Sequence, residues 1–236
     1  MSNQLTQDQY VLLTAKRALA DLVHNMSSAE GNPITITEVV TLLDGITVGG
    51  HKVSDQNQVF RLDSAWTELF RLVESDQFEL TKRIAIGLNE LVATDEAPKV
   101  GAFRDDQVGI QGVEYIPPHH ATLDRKFNEM LEDVNQRHTA LERAVTCFTI
   151  CARNQFFFDG NKRTSQLLMN SILLSNGQHV ITIPAKDRNQ YFYLLKKLYD
   201  SNDSRRLAQF LRDRQLDKIM KVREREQHEQ DRKNRD

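Results

Sequence analysis

Between residues 155 and 164 the chain reads Gln-Phe-Phe-Phe-Asp-Gly-Asn-Lys-Arg-Thr. Three phenylalanines close one apolar stretch, an Asp-Gly-Asn turn follows, and a second apolar stretch begins. If the second stretch is a helix, the backbone amides at its start have no acceptor within the helix. Open amides, a glycine that admits close approach, and the adjacent cations of Lys162 and Arg163 suit an anion such as phosphate. The Asp159 carboxylate could hold a divalent cation that bridges phosphates. The same residues also fit a plain capped turn with solvated basic side chains.

The flanking segments are of the kind needed to position such a loop. Leu141, Val145, Phe148 and Ala152 form a helical stripe leading directly into it. From Leu167 to Leu174 the chain is apolar on nearly every side, which predicts a central helix packed all round. Val11, Ala15, Ala18, Leu19 and Leu22 fall on one stripe of a first helix. Leu80, Ile84, Leu88 and Leu91 repeat the spacing, as do Leu123, Phe127, Met130, Leu131 and Val134. Two later stripes, Phe192-Leu195-Leu198 and Leu207-Phe210-Leu211, are set off by Gly177 and Ile183-Pro184, since proline does not sit inside a helix. The expected fold is all-α, with one exception. Residues 99–118 hold three glycines and two prolines, with Val108 and Ile110 alternating against polar or small neighbours. Asp105-Asp106-Gln107 lies between two short β-like runs, which predicts a small β-hairpin.

At 236 residues, 39% hydrophobic and 27% charged, the chain suits one large domain with or without appendages. A formal net charge of −2 gives no general attraction to nucleic acid or to an anionic membrane surface. No apolar run approaches a membrane span. Met1 to Gln9 carries no basic start followed by an apolar stretch, and Cys147 and Cys151 share a helix face as buried thiols, so the expected compartment is cytoplasmic. A zinc site would need two further ligands. From about Lys218 to Asp236 basic and acidic residues alternate, a composition for a solvated helix extension or a frayed tail.

The loop resembles the motif of the Fic/Doc (Fido-domain) family, His-x-Phe-x-Asp/Glu-Gly-Asn-Gly/Lys-Arg-x-x-Arg, with Phe157, Asp159, Gly160, Asn161, Lys162 and Arg163 on matching positions. Gly101-Ala102-Phe103-Arg104, Val108-x-Ile110 and Tyr115-Ile116-Pro117-Pro118 are similar to that family's flap. Ser27 to Asn32, with Thr37-Glu38 and Gly49-Gly50, resembles its N-terminal inhibitory helix. Ile183-Pro184-Ala185, Tyr199 and Asp203 match the C-terminal part. The resemblance implies a mainly helical Fic fold with a hairpin flap. It divides the chain into an N-terminal helical region at 1–60 with the inhibitory-helix-like segment, a core at 61–216 and a charged tail at 217–236.

The implied activity is transfer of AMP from ATP to a hydroxyl of a target protein, with Mg²⁺. By the same resemblance Asp159 would hold the metal, while Gly160, Asn161, Lys162, Arg163 and Gln166 would bind nucleotide. Arg163 would neutralise charge developing on the phosphates. Lys162, glycine in many relatives, resembles the Doc branch, which uses this fold for phosphotransfer. The target protein would dock at Phe103, Arg104, Val108 and Ile110 of the flap, Glu30 would be regulatory, and the family includes homodimers. Two positions depart from the pattern. Gln155 stands at the place of the catalytic histidine, and a carboxamide cannot act as general base. His119, His120 and His138 are the substitute bases to consider. Gln166 stands at the place of the final arginine, which contacts the terminal phosphate or the inhibitory glutamate; there Glu30 would hydrogen-bond Gln166 weakly or simply cap a helix. The expectation is therefore a nucleotide-binding protein with impaired or atypical transfer. The alternative is a non-catalytic pseudoenzyme that regulates or docks a partner through the flap.

Overall fold

The computed structural model describes residues 5–233, so residues 1–4 and the last three of the charged tail lie outside it. Ten α-helices are present among the described residues. They are α1 (Gln7–Arg17), α2 (Leu19–Ala29), α3 (Ile36–Leu43), α4 (Val53–Glu74), α5 (Lys82–Ala93), α6 (Leu123–Asn135), α7 (Ala140–Asn154), α8 (Asn161–Leu174), α9 (Arg188–Ser201) and α10 (Arg205–Lys233).

Local chemistry explains many of the boundaries. Thr6, Thr35 and Thr139 each cap a helix with the side chain, and a Gln or Glu three residues on returns a bond to the cap amide. The stripe expected as one helix from Val11 to Leu22 is two: the backbone turns at Ala18 (φ −97°, ψ 14°), ending α1 and starting α2. Apolar spacing continues across the break, so periodicity alone does not reveal it.

The arrangement is centred on α8, in which nearly every residue is buried. It pairs with α7 as a helical hairpin and also packs against α5, α4 and α1. Helices α6, α9 and α10 pack on α7, and α2, α3 and α5 on α4. Cys147 and Cys151 are free and buried, and no described helix is long and apolar enough to cross a membrane.

The expected β-hairpin is not confirmed: no strand forms among the described residues. The reversal between 99 and 118 falls at Ile110–Val113, where Val113 N–H donates to the Ile110 carbonyl at 3.1 Å, rather than at Asp105–Gln107. Side chains join its arms in place of a ladder. Gln107 Nε2 donates to the Pro117 carbonyl at 3.0 Å. The Arg104 guanidinium spans the carbonyls of Asp106 and Pro118. Prolines 117 and 118 have no amide to offer a ladder, and a lone two-stranded ribbon is marginal in water.

Candidate functional site

The α7–α8 corner is built from strained and braced backbone. Helix α7 ends at Gln155 in the left-handed region (φ 48°, ψ 63°), and Gly160 caps α8 with φ 72°. A Cβ at Gly160 would sit 3.0 Å from both Asn89 Nδ2 and Val92 Cγ2, so a side chain there would press on α5 as well as strain the backbone. Between these points the Asn161 side chain grips the Phe157 backbone twice. Its Oδ1 accepts from Phe157 N–H at 2.9 Å, and its Nδ2 donates to the Phe157 carbonyl at 2.7 Å. Asn89 of α5 donates to the Asp159 carbonyl at 2.9 Å and to Thr164 Oγ1 at 3.1 Å. Phe156 and Phe157 anchor the corner below, packed on Phe103, which stacks on Phe156 at 4.9 Å between centroids.

Above this corner opens a cleft of about 680 Å³ lined by Asp159, Gly160, Asn161, Lys162 and Arg163 on one side. Glu30, Arg188, Phe192, Lys196 and Tyr199 line it as well, with Gly109–Val113 as its rim and Gln155 at its edge. Gly160 N–H is taken by Asp159 Oδ1. The first internal bond of the helix start is Thr164 N–H to the Gly160 carbonyl at 2.8 Å. Among the described residues, the amides of Asn161, Lys162 and Arg163 therefore have no backbone acceptor, as expected at a helix N-terminus. Four basic side chains and the carboxylates of Glu30 and Asp159 line the cleft, so cations outnumber anions on its walls.

Each basic group already has a partner of a particular kind. Lys162 Nζ lies 3.0 Å from Glu30 Oε2 and 4.9 Å from the Phe192 ring centroid. Arg188 donates to the Ala29 carbonyl at 3.2 Å and covers the same ring at 5.0 Å. Arg163 is buried; its Nη1 donates to the Val92 carbonyl at 2.9 Å, and its Nη2 lies 2.6 Å from Glu96 Oε2 and 3.3 Å from Asp159 Oδ1. Burial opposes the Arg163 charge, but the carboxylates of Glu30, Glu96 and Asp159 outweigh it and raise its pKa. Burial likewise works to raise the Glu96 pKa, yet Arg163 and Arg61 hold it below the usual value.

Several expected site residues stand elsewhere. Glu30 follows the last turn of α2 and pairs with Lys162, whereas Gln166 is buried beside Tyr191 and does not line the cleft. The expected bond between Glu30 and Gln166 is absent, because the Glu30 carboxylate is drawn to the nearer positive charge. Gln155 lines the cleft, but its Nε2 is turned back to the Ala152 carbonyl at 2.6 Å. Phe103 and Arg104, expected on a docking edge, face inward; Arg104 Nε donates to the Gln155 carbonyl at 2.6 Å. Val108 and Ile110 are half-buried, and only Ile110 reaches the cleft. His119, His120 and His138 do not line it. Glu96 carries no motif and is placed here only by tertiary packing; its sole sequence signal is an acidic residue just past a helix.

Among the described residues no group of three or more His, Cys, Asp or Glu gathers as a metal cluster. The donor set suits a divalent cation that arrives with its own phosphate oxygens. Among the described residues only Oδ1 of Asp159 is engaged, the side chain is half exposed, and Mg²⁺ commonly takes one or two carboxylates plus substrate phosphates.

Residues 79–173 match the model of the Fic/DOC family. The chain is 29% identical over 206 residues to the protein adenylyltransferase Fic of Drosophila grimshawi, covering 84% of this chain and 41% of that protein. The counterpart in Drosophila erecta is also 29% identical, with 84% and 40% covered. The chain thus spans about two fifths of the length of these curated relatives. Among solved structures, Fic-1 from C. elegans superposes with a TM-score of 0.80 at 20% identity, over 96% of this chain and 69% of that one. A Fic domain containing signaling protein from Bacteroides thetaiotaomicron gives 0.69 at 20% identity, over 83% and 76%.

Proposed function

We propose, with the match of residues 79–173 to the Fic/DOC family as premise, that this chain binds a Mg²⁺–nucleotide such as ATP in the cleft above α8. Its activity on this reading is slow or atypical AMP transfer to a protein hydroxyl. The observation that carries the reading is the helix start itself. Three successive amides without acceptors open beside Lys162 in a cleft whose walls carry more positive than negative charge. Asp159 would hold the metal through its free oxygen. Asn161 acts by bracing the loop, so that the amides keep their positions before a ligand arrives. A bound Mg²⁺ supplies charge neutralisation at the phosphates. The rim at Gly109–Val113 is where a target segment would meet the nucleotide.

A second reading, a nucleotide-binding pseudoenzyme, is favoured by one observation. Gln155 has no basic nitrogen, and its amide is spent on capping α7 at Ala152. Calorimetry with Mg-ATP, followed by incubation with lysate and α- or γ-labelled ATP, separates the cases. Label retained from the α position indicates nucleotidyl transfer, and label from γ alone indicates phosphoryl transfer. Nucleotide binding with neither label supports the pseudoenzyme, and absence of binding at millimolar nucleotide removes both readings.

A further inference from the structure

Outside the phosphate loop, a second layer of charge bears on it. Glu96 lies in the turn after α5, with Oε2 2.6 Å from Arg163 Nη2. Its other oxygen is held by Arg61 and, at 3.4 Å, by Gln58 Nε2, both on α4. Arg61 is also 3.9 Å from Asp95. The carboxylate is therefore fixed at both oxygens. Arg163 in turn reaches Asp159 Oδ1 only at 3.3 Å, so its shorter contact is with Glu96. The Arg163 side chain is 4% exposed, so its charge is little screened by solvent.

We infer that Glu96 is a positioning residue that sets how strongly nucleotide binding depends on a divalent cation. This rests on the reading that the cleft takes a Mg²⁺–nucleotide. Glu96 neutralises much of the Arg163 charge, which leaves the Asp159 carboxylate with negative charge to spare for a cation. It also leaves less positive charge for a bare phosphate. Without Glu96, Asp159 becomes the carboxylate nearest to Arg163, and a buried cation draws it in. Asp159 would then have less charge to offer a cation, while the Arg163 guanidinium would have more to offer a bare phosphate. Arg61 acts on the same balance in the opposite sense, because it withdraws part of the Glu96 charge from Arg163.

The test is calorimetric titration of ATP into wild type and Glu96→Gln, with excess Mg²⁺ and with EDTA, fold integrity being checked by thermal melting. In Glu96→Gln the ratio of Mg²⁺-loaded to metal-free affinity should shrink by about tenfold, as metal-free binding tightens and Mg²⁺-loaded binding weakens. Glu96→Asp, which keeps the charge, should recover most of the wild-type ratio. Arg61→Gln should move the ratio the other way, and it decides the matter if Glu96→Gln fails to fold. Affinities that fall together at an unchanged ratio, or a ratio that moves alike in Glu96→Gln and Arg61→Gln, overturn the inference and leave Glu96 as a structural brace. Wild type that binds neither form of ATP removes the nucleotide reading itself, and this inference with it.

Discussion

Lys162, the second residue of α8, is joined to Glu30, the residue that ends α2, by an ion pair of 3.0 Å. The pair places a carboxylate at the mouth of a cleft whose remaining walls favour anions. Among the described residues its second oxygen, Oε1, is buried without a hydrogen-bond partner, so the carboxylate is only half satisfied there.

Replacing Glu30 by Gln should therefore tighten nucleotide binding. Lys162 is released to a phosphate, and a charge-assisted bond is worth about 1.5 kcal/mol at the low end, or roughly tenfold in affinity. Calorimetric titration of Mg-ATP checks this. Unchanged or weaker binding would mean that Glu30 does not stand where a phosphate sits.

Arg163 and Asp159 should separate stability from binding. Arg163→Ala takes the guanidinium from Glu96 and the Val92 carbonyl, and removing one partner of a buried pair costs about 3 kcal/mol. Its melting temperature should fall well below that of wild type. Asp159→Asn changes a half-exposed side chain, so it should melt like wild type yet bind Mg-ATP at least about tenfold more weakly. Equal melting temperatures for the two variants would contradict the buried network.

Gln155→His places an imidazole at the corner beside the loop. The backbone there is left-handed, φ 48°, a region in which histidine is enriched several-fold among non-glycine residues, so the fold should accept it. Transfer of label from ATP, to the chain itself or to an added target, should rise at least about a hundredfold, the low end of a general-base contribution. A wild type that already transfers label, and loses it on this substitution, would show that Gln155 positions a substrate while another group takes the proton.

Gly160→Ala meets two obstacles, a φ of 72° and a Cβ 3.0 Å from Asn89 Nδ2 and Val92 Cγ2. Gly112→Ala meets only the first, since its φ is 74° and nothing lies within 4 Å. Denaturant unfolding should show a loss of about 1 kcal/mol at Gly112 and clearly more at Gly160, because Asn89 must give up the loop it holds. Similar losses at both sites would mean that the α5 contact does not constrain the turn.

Much of the fold is legible in the chain because helices obey local rules. The stripes of α5 to α9 coincide with apolar spacing, and Leu167 to Leu174 is buried on all sides as its composition predicts. The loop residues are legible too, since Asp159 to Arg163 are contiguous and their amides belong to one helix start. Less legible are features decided by competition for backbone groups. The alternation at Val108 and Ile110 predicts a ladder, but Arg104 and Gln107 take carbonyls that a ladder would use. Arg104 and Phe103 face inward because Phe156 and the Gln155 carbonyl offer partners that spacing cannot reveal.

By itself the sequence determined the helix-rich class, the turn at Asp159-Gly160-Asn161 and the presence of cations at the start of α8, because these follow from neighbours a few residues apart. Only the tertiary structure decided which carboxylate meets which cation: Glu30 with Lys162, and Glu96 with Arg163. Those pairings depend on α2, α4 and α5 being packed around α8. Electrostatic energy depends on separation in space and on exclusion of water, and neither is written in the order of the residues.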